Sequence, residues 1–201
     1  CTSSNGGTTR TASAASSPIS VGSLSKGADY TCTVVAHNAQ GDSAASSASA
    51  SITVPATVPD APTAVGATTP VGQATSVSFT TPGSDGGATI TSYVATCTSS
   101  NGGTTRTASA ASSPISVGSL TKGKTYTCTV VAHNAQGDSA ASSPSASITV
   151  PATVPDAPTG ATAVAGDAQA AVTWTTPDAN GSAITGYTVT ASPGGATCTA
   201  A

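Results

Sequence analysis

A long internal repeat constrains this chain more than any other feature of its sequence. The segment 1–63 returns as 97–159, 96 residues later, with only four differences. The differing pairs are Ser25/Thr121, Ala28/Lys124, Asp29/Thr125 and Ala48/Pro144. Solenoid units of roughly 20–50 residues need their neighbours to bury a core, whereas a unit of about 96 residues closes a core of its own. The sequence therefore predicts tandem domains of one fold.

The repeat also indicates where each unit begins and ends. The pentapeptide that starts at Val58 recurs at Val154. We therefore predict the C-terminal part of a domain at 1–57, a complete domain at 58–153 and the N-terminal part of a further domain at 154–201. Both ends of the chain then fall inside domains, as expected of a window from a longer polypeptide.

The composition argues against several classes of function. Charged residues make up 6% of the chain, against roughly 25% in an average soluble protein. The net charge is −3 with five Lys and Arg residues, so no basic patch is expected for nucleic acid or anionic lipid. No apolar run approaches the ~18 residues of a membrane span. Surface polarity must come from Ser, Thr, Asn and Gly, which favours an extracellular or cell-surface protein.

Five cysteines support an oxidising compartment. Cys1 and Cys32 are 31 residues apart, and so are Cys97 and Cys128. Each copy thus carries one candidate disulfide pair, Cys1–Cys32 or Cys97–Cys128. Cys198 is left over, and an odd cysteine in a secreted chain indicates an intermolecular bond or a missing partner. We expect its partner to lie outside the chain.

The hydrophobic pattern is that of β-strands. Apolar residues alternate with polar ones, and clusters of Gly, Pro, Asn and Ser interrupt the pattern every ~8–12 residues. Helical periodicity is absent. In the complete unit we predict seven strands, at 62–69, 75–81, 90–98, 104–108, 114–117, 125–133 and 145–150.

The order of marker residues along these strands resembles the fibronectin type III domain, of the kind found in bacterial secreted or cell-surface repeat proteins. The markers in the complete unit are Pro62, Val77, Phe79, Ile90, Tyr93, Leu120, Tyr126, Asn134 and Gly137. The third copy continues the pattern with Trp174, Pro177, Ile184, Tyr187 and Val189. The resemblance covers essentially the whole chain.

This resemblance implies an all-β fold of tandem immunoglobulin-like, seven-stranded β-sandwiches. One sheet would hold the first, second and fifth strands, and the other the third, fourth, sixth and seventh. The core residues it implies are Val77, Phe79, Tyr93, Leu120, Tyr126, Val130, Trp174 and Tyr187. Counting by twos from the two tyrosines, Cys97 and Cys128 both point inward on neighbouring strands. Their disulfide would strengthen a core in which aromatic residues are scarce, at 3% of the chain.

We predict no catalytic, cofactor-binding or metal site, and hence no enzyme. Near-identical copies argue against catalysis, because an enzyme needs one active site. His37 and His133 are equivalent positions, and Asp138 lies close to the latter in sequence. The nearby serines lack the context of a nucleophile elbow. A metal site would need clustered His, Cys, Asp or Glu residues, and the isolated aspartates fall at turns and linkers.

Two loop motifs are candidate surface features. Gly137-Asp138 lies in the loop where some members of this family present Arg-Gly-Asp, but Gln136 replaces the arginine, so an ordinary turn is favoured. Asn180-Gly-Ser182 is an N-glycosylation sequon, expected in an exposed loop.

The sequence favours a structural or adhesive role over any chemistry. We predict a segment of a long extracellular tandem-repeat protein that forms a stalk, fibre or surface filament. The expected partners are copies of itself or neighbouring repeats, with a glycan or cell-surface ligand as a further candidate. The alternative is a non-catalytic spacer array within a secreted polysaccharide-degrading enzyme.

Overall fold

The computed structural model describes residues 1–192, 194–195 and 197–200. Within this part of the chain, no helix is long and apolar enough to cross a membrane. The first unit contains β1 (Thr2–Ser3), β2 (Asp29–Thr31), β3 (His37–Asn38), β4 (Gly41–Asp42) and β5 (Ile52–Thr53). The third contains β14 (Thr159–Gly166), β15 (Gln169–Thr175), β16 (Tyr187–Thr190) and β17 (Thr197–Ala200).

The complete unit is a two-layered antiparallel sandwich. Its strands are β6 (Thr63–Ala67), β7 (Thr75–Thr80), β8 (Ser92–Ser99), β9 (Arg106–Ala110), β10 (Ile115–Val117), β11 (Thr125–Asn134), β12 (Gly137–Asp138) and β13 (Ile148–Thr149). One sheet has the order β10-β7-β6, and the other has β12-β11-β8-β9 with β13 also paired to β11. The predicted β-sandwich, including the division of strands between its two sheets, is confirmed.

The core lies between the two sheets of the complete unit. Buried and less buried residues alternate along β8 and β11, as the period of two predicts. The structure buries six of the expected core residues: Val77, Phe79, Tyr93, Leu120, Tyr126 and Val130. The rings of Phe79 and Tyr93 pack with centroids 4.6 Å apart. Burial raises the pKa of the Tyr93 phenol.

Trp174 and Tyr187 differ from the expectation of a buried core. Their rings pack together with centroids 4.9 Å apart, as Phe79 and Tyr93 do in the complete unit, but both remain partly exposed. The described residues of the third unit form the two-stranded sheets β14-β15 and β16-β17. No counterpart of β11 covers the aromatic pair within those residues, which explains the exposure.

The structure joins the cysteines as the spacing predicts, Cys1 to Cys32 and Cys97 to Cys128. Cys97 lies directly opposite Cys128 in the register of β8 and β11, and both are completely buried. Cys198 is exposed on β17, opposite Val189.

The last predicted strand, 145–150, is shorter than expected. Only Ile148–Thr149 pairs as a strand. In the segment that precedes it, serine side chains form hydrogen bonds with the edge of β11. Three buried serine hydroxyls accept backbone N–H groups of β11: Ser139 from Ala132, Ser142 from Val130 and Ser145 from Cys128, at 2.9, 2.9 and 3.0 Å. The serine N–H groups donate back to the same three residues. This spacing of three cannot form an ordinary ladder, which has a period of two.

Candidate functional site

Each of the two histidines pairs with an aspartate, and no serine within the described part of the chain completes a catalytic triad. His133 Nδ1 lies 2.6 Å from Asp138 Oδ1, and His37 Nδ1 lies 2.5 Å from Asp42 Oδ1. Both pairs are exposed. Ser139, the nearest serine in sequence, uses its hydroxyl to bond the backbone of Ala132 and Ala140. Among the described residues, no group of three or more His, Cys, Asp or Glu side chains is placed to hold a metal ion.

The two repeated segments share a set of hydrogen bonds that lie between successive units. The first joint comprises the linker 54–60, the loop 25–28 of the preceding unit and the loop 84–88 of the following unit. The second joint is the linker 150–156 with the loops 121–124 and 178–182. Each linker contains two prolines, and a third follows two residues after its end, at Pro62 or Pro158. Proline restricts φ.

Each linker is bonded to the loop of the preceding unit. In the first joint, the Gly27 N–H donates to the Val54 carbonyl oxygen at 2.8 Å, and the Val54 N–H donates to Ala28 at 2.9 Å. In the second joint, Gly123 and Val150 form the equivalent bonds at 2.9 Å each, the latter to Lys124. The start of each linker is therefore fixed to its own unit.

Each linker is also bonded to a loop of the following unit. The Thr57 and Asp60 N–H groups donate to the carbonyl oxygens of Gly86 and Ser84, at 2.8 and 3.0 Å. The second joint repeats the pair, from Thr153 to Asn180 at 3.1 Å and from Asp156 to Asp178 at 3.0 Å. The loops 84–88 and 178–182 differ in sequence, so the shared bonding is carried by backbone atoms. Consecutive units are thus held in one repeated arrangement.

Glycines allow the backbones of the two units at each joint to come into direct contact. A Cβ atom on Gly87 would collide with the backbone of Lys26 and Gly27, and a Cβ on Gly181 would collide with Lys122 and Gly123. Gly87 and Gly181 also have positive φ, of 82° and 89°, a region that favours glycine.

We expect the substitution Gly87→Ala to open the first joint. The added methyl group meets backbone rather than a flexible side chain, and the left-handed conformation costs a non-glycine residue about 1–2 kcal/mol. Amide hydrogen exchange at Thr57 and Asp60 should accelerate. Gly83→Ala is the matched control, because its Cβ would enter open space. Equal exchange rates in the two variants would contradict the expected role of the close approach.

Asn134 connects the first joint to the body of the complete unit. Its side chain is completely buried, and Nδ2 donates to the carbonyl oxygens of Thr57, Asp85 and Ala88 at 2.8, 2.7 and 3.4 Å. Oδ1 accepts the Gln136 N–H at 2.8 Å. One amide therefore bonds the linker, the following loop and the turn after β11.

Asn134→Ala should destabilise the complete unit by about 1–3 kcal/mol, because buried carbonyl groups lose their donor. Urea unfolding monitored by fluorescence would measure the change. Asn38→Ala is the matched control, since Asn38 occupies the equivalent position but makes only the local bond to the Gln40 N–H. A similar loss of stability in the two variants would show that Asn134 stabilises only the local turn and not the joint.

Two of the three lysines of the chain also belong to the joints. Lys26 Nζ donates to Thr57 Oγ1 at 3.0 Å, and Lys122 Nζ donates to Asn180 Oδ1 at 3.0 Å. The sequence alone does not identify these lysines or Asn134 as joint residues. The available signal was the recurrence of a Lys-Gly dipeptide at the same position in both copies.

Comparison with known proteins identifies the family of the complete unit. Residues 60–148 match the family model described as the fibronectin type III domain. A search of curated proteins found no match.

Several solved structures are similar to the chain. Domains A168-A170 of titin share 26% identity over 57% of this chain and 38% of that one, with a TM-score of 0.44. The twitchin kinase region of C. elegans shares 25% over 47% and 17%, with a TM-score of 0.44. The FN1-FN3 domains of chicken CNTN1 share 16% over 90% and 64%, with a TM-score of 0.49.

The chain spans only 17% to 38% of the titin and twitchin structures. The family match, by contrast, coincides with the observed sandwich from β6 to β13. Residues 60–148 are a fibronectin type III domain.

Proposed function

We propose that this chain is a structural segment of a long extracellular protein of tandem repeats, of the bacterial secreted or cell-surface type, which forms a stalk, fibre or surface filament. The observation that carries the proposal is the double bonding of each linker, to the unit before it and to the unit after it. A joint that uses backbone bonds and repeats at a fixed interval adds length in one direction. The array then serves as a spacer of defined geometry.

The remaining features are consistent with an extracellular location and an adhesive role. Each copy carries one disulfide, and disulfides persist in oxidising compartments. Few charged residues are present to keep chains apart. We propose as partners further copies of the chain or neighbouring repeats, with a glycan or cell-surface ligand as a second class. We further propose unit boundaries after residues 57 and 153, and a partner for Cys198 outside the chain.

Electron microscopy of the native material under non-reducing conditions tests the proposal. Strand β11 has ten residues, or about 34 Å at ~3.4 Å per residue. Ordered filaments with an axial repeat of about one or two such lengths would support the structural role. Separate flexible strings that carry a different globular head would contradict it and favour a spacer array within a polysaccharide-degrading enzyme.

A further inference from the structure

The only N-glycosylation sequon of the chain, Asn180-Gly181-Ser182, lies inside the second joint. The sequence predicts an exposed loop at this position. In the structure, Asn180 takes the place that Gly86 has in the first joint, because its carbonyl oxygen accepts the Thr153 N–H as that of Gly86 accepts Thr57. Asn180 has a φ of 52°, a left-handed conformation that asparagine tolerates better than most residues.

The side-chain amide of Asn180 is fully engaged by the joint. Nδ2 donates to the Val154 carbonyl oxygen and to Asp156 Oδ1, each at 2.9 Å. An amide nitrogen has two hydrogens, so both of its donors are used within the linker. Oδ1 accepts from Lys122 Nζ of the preceding unit at 3.0 Å. The atom that a glycan would modify is therefore one of the atoms that close the joint.

We propose that Asn180 is a conditional glycosylation site: the closed second joint withholds it, and a glycan attached there holds that joint open. In the reaction, Asn180 Nδ2 forms a bond to C1 of an oligosaccharide while the bond from C1 to the lipid pyrophosphate breaks. One Nδ2 proton is lost and the lipid pyrophosphate departs. The one remaining Nδ2 hydrogen can bond only one of the two former acceptors, the Val154 carbonyl oxygen or Asp156 Oδ1. The sugar takes the place of the hydrogen that bonded the other.

Glycosylation would therefore turn the second joint, and not the first, into a hinge. The first joint has Gly86 at this position. Glycine has no side-chain amide to which a glycan could be attached, so the first joint stays closed under the same treatment. The inference concerns the closure of one joint and does not depend on filament formation. A chain without filaments could still pass its test, so the two proposals fail separately.

The test uses the full chain, a purified oligosaccharyltransferase and a lipid-linked oligosaccharide, with site occupancy measured by mass spectrometry. Gln40→Thr adds a reporter sequon at Asn38, which is exposed, in the same molecule. We expect Asn38 to be glycosylated about tenfold faster than Asn180, since access to Asn180 requires loss of a charge-assisted hydrogen bond. Equal rates at the two sites would overturn the proposal.

A pair of variants then separates joint opening from general destabilisation. Lys122→Ala removes the donor to Asn180 and should raise its glycosylation rate several-fold relative to the Asn38 reporter. Lys26→Ala removes the equivalent lysine of the first joint, which bonds Thr57 instead, and should leave the rate unchanged. The same rate in both variants would overturn the proposal.

Amide hydrogen exchange of the glycosylated chain tests the second half of the inference. Exchange at Thr153 and Asp156, which donate across the second joint, should accelerate. Exchange at Thr57 and Asp60, which donate across the first, should not change. Retained protection at Thr153 and Asp156 in the glycosylated chain would show that the glycan and the closed joint coexist, contrary to the proposal.

Discussion

Removal of the Cys97–Cys128 disulfide is expected to lower the free energy of unfolding of the complete unit by about 3–4 kcal/mol. The bond closes a loop between residues 31 positions apart, and a loop of that size restricts the unfolded chain strongly in the chain-entropy model. Small domains have only about 5–15 kcal/mol of stability in total. The double variant Cys97→Ala/Cys128→Ala should therefore melt at a much lower temperature than the intact chain.

The control for this experiment is Cys198→Ser, which removes an exposed cysteine that the structure leaves unbonded and should not change the melting temperature of the complete unit. Calorimetry of the oxidised and reduced chains provides a second measurement without substitution. An unchanged melting temperature in the double variant would mean that the packing of β8 on β11 alone supports the sandwich.

Tyr126→Ala is expected to destabilise the complete unit by about 3–5 kcal/mol, the range for large-to-small aromatic substitutions in a core. The Tyr126 ring is completely buried. Its hydroxyl accepts the Thr121 N–H at 3.0 Å and donates to the Thr104 carbonyl oxygen at 3.1 Å. The substitution removes the packing and both bonds together. Chemical unfolding in urea would measure the loss.

Tyr126→Phe separates the two contributions. It keeps the ring and leaves the Thr121 N–H without its acceptor, so we expect about 1–3 kcal/mol. Because residue 121 begins the loop that forms the second joint, amide exchange at Gly123 should also accelerate. A loss in the Phe variant as large as that in the Ala variant would contradict the assignment of most of the stability to the ring.

The strands and the core of the complete unit could be predicted because they depend on a period of two. Alternation alone identifies the inward residues of β8 and β11, and with them the tyrosines and the facing cysteines. The structure places Val77, Phe79, Leu120 and Val130 in the same core. For Trp174 and Tyr187 the pattern was the same, but burial requires a covering strand that the described residues of the third unit do not supply.

The joints could not be predicted because they rest on contacts without periodicity. The amide of Asn134 bonds Thr57, which is 77 residues away in sequence, and the backbone bonds of each linker have no side-chain signature. The serine pairing along β11 was missed for a related reason. A spacing of three between Ser139, Ser142 and Ser145 does not match the period of two of a strand, so the alternating pattern did not predict their pairing with β11.

The disulfide of each copy also determines how the array responds to tension. A pulling force enters the complete unit near its N-terminal proline and leaves through the linker that follows β13. Once the sandwich yields, the covalent bond between Cys97 and Cys128 carries the load directly, and the 31-residue span between them is not drawn out. At ~3.3–3.6 Å per extended residue, roughly 100–110 Å of slack stays locked in every such unit. An array of such units under excess load would thus lengthen in short steps and keep a disulfide-closed loop in each unit from which refolding can start.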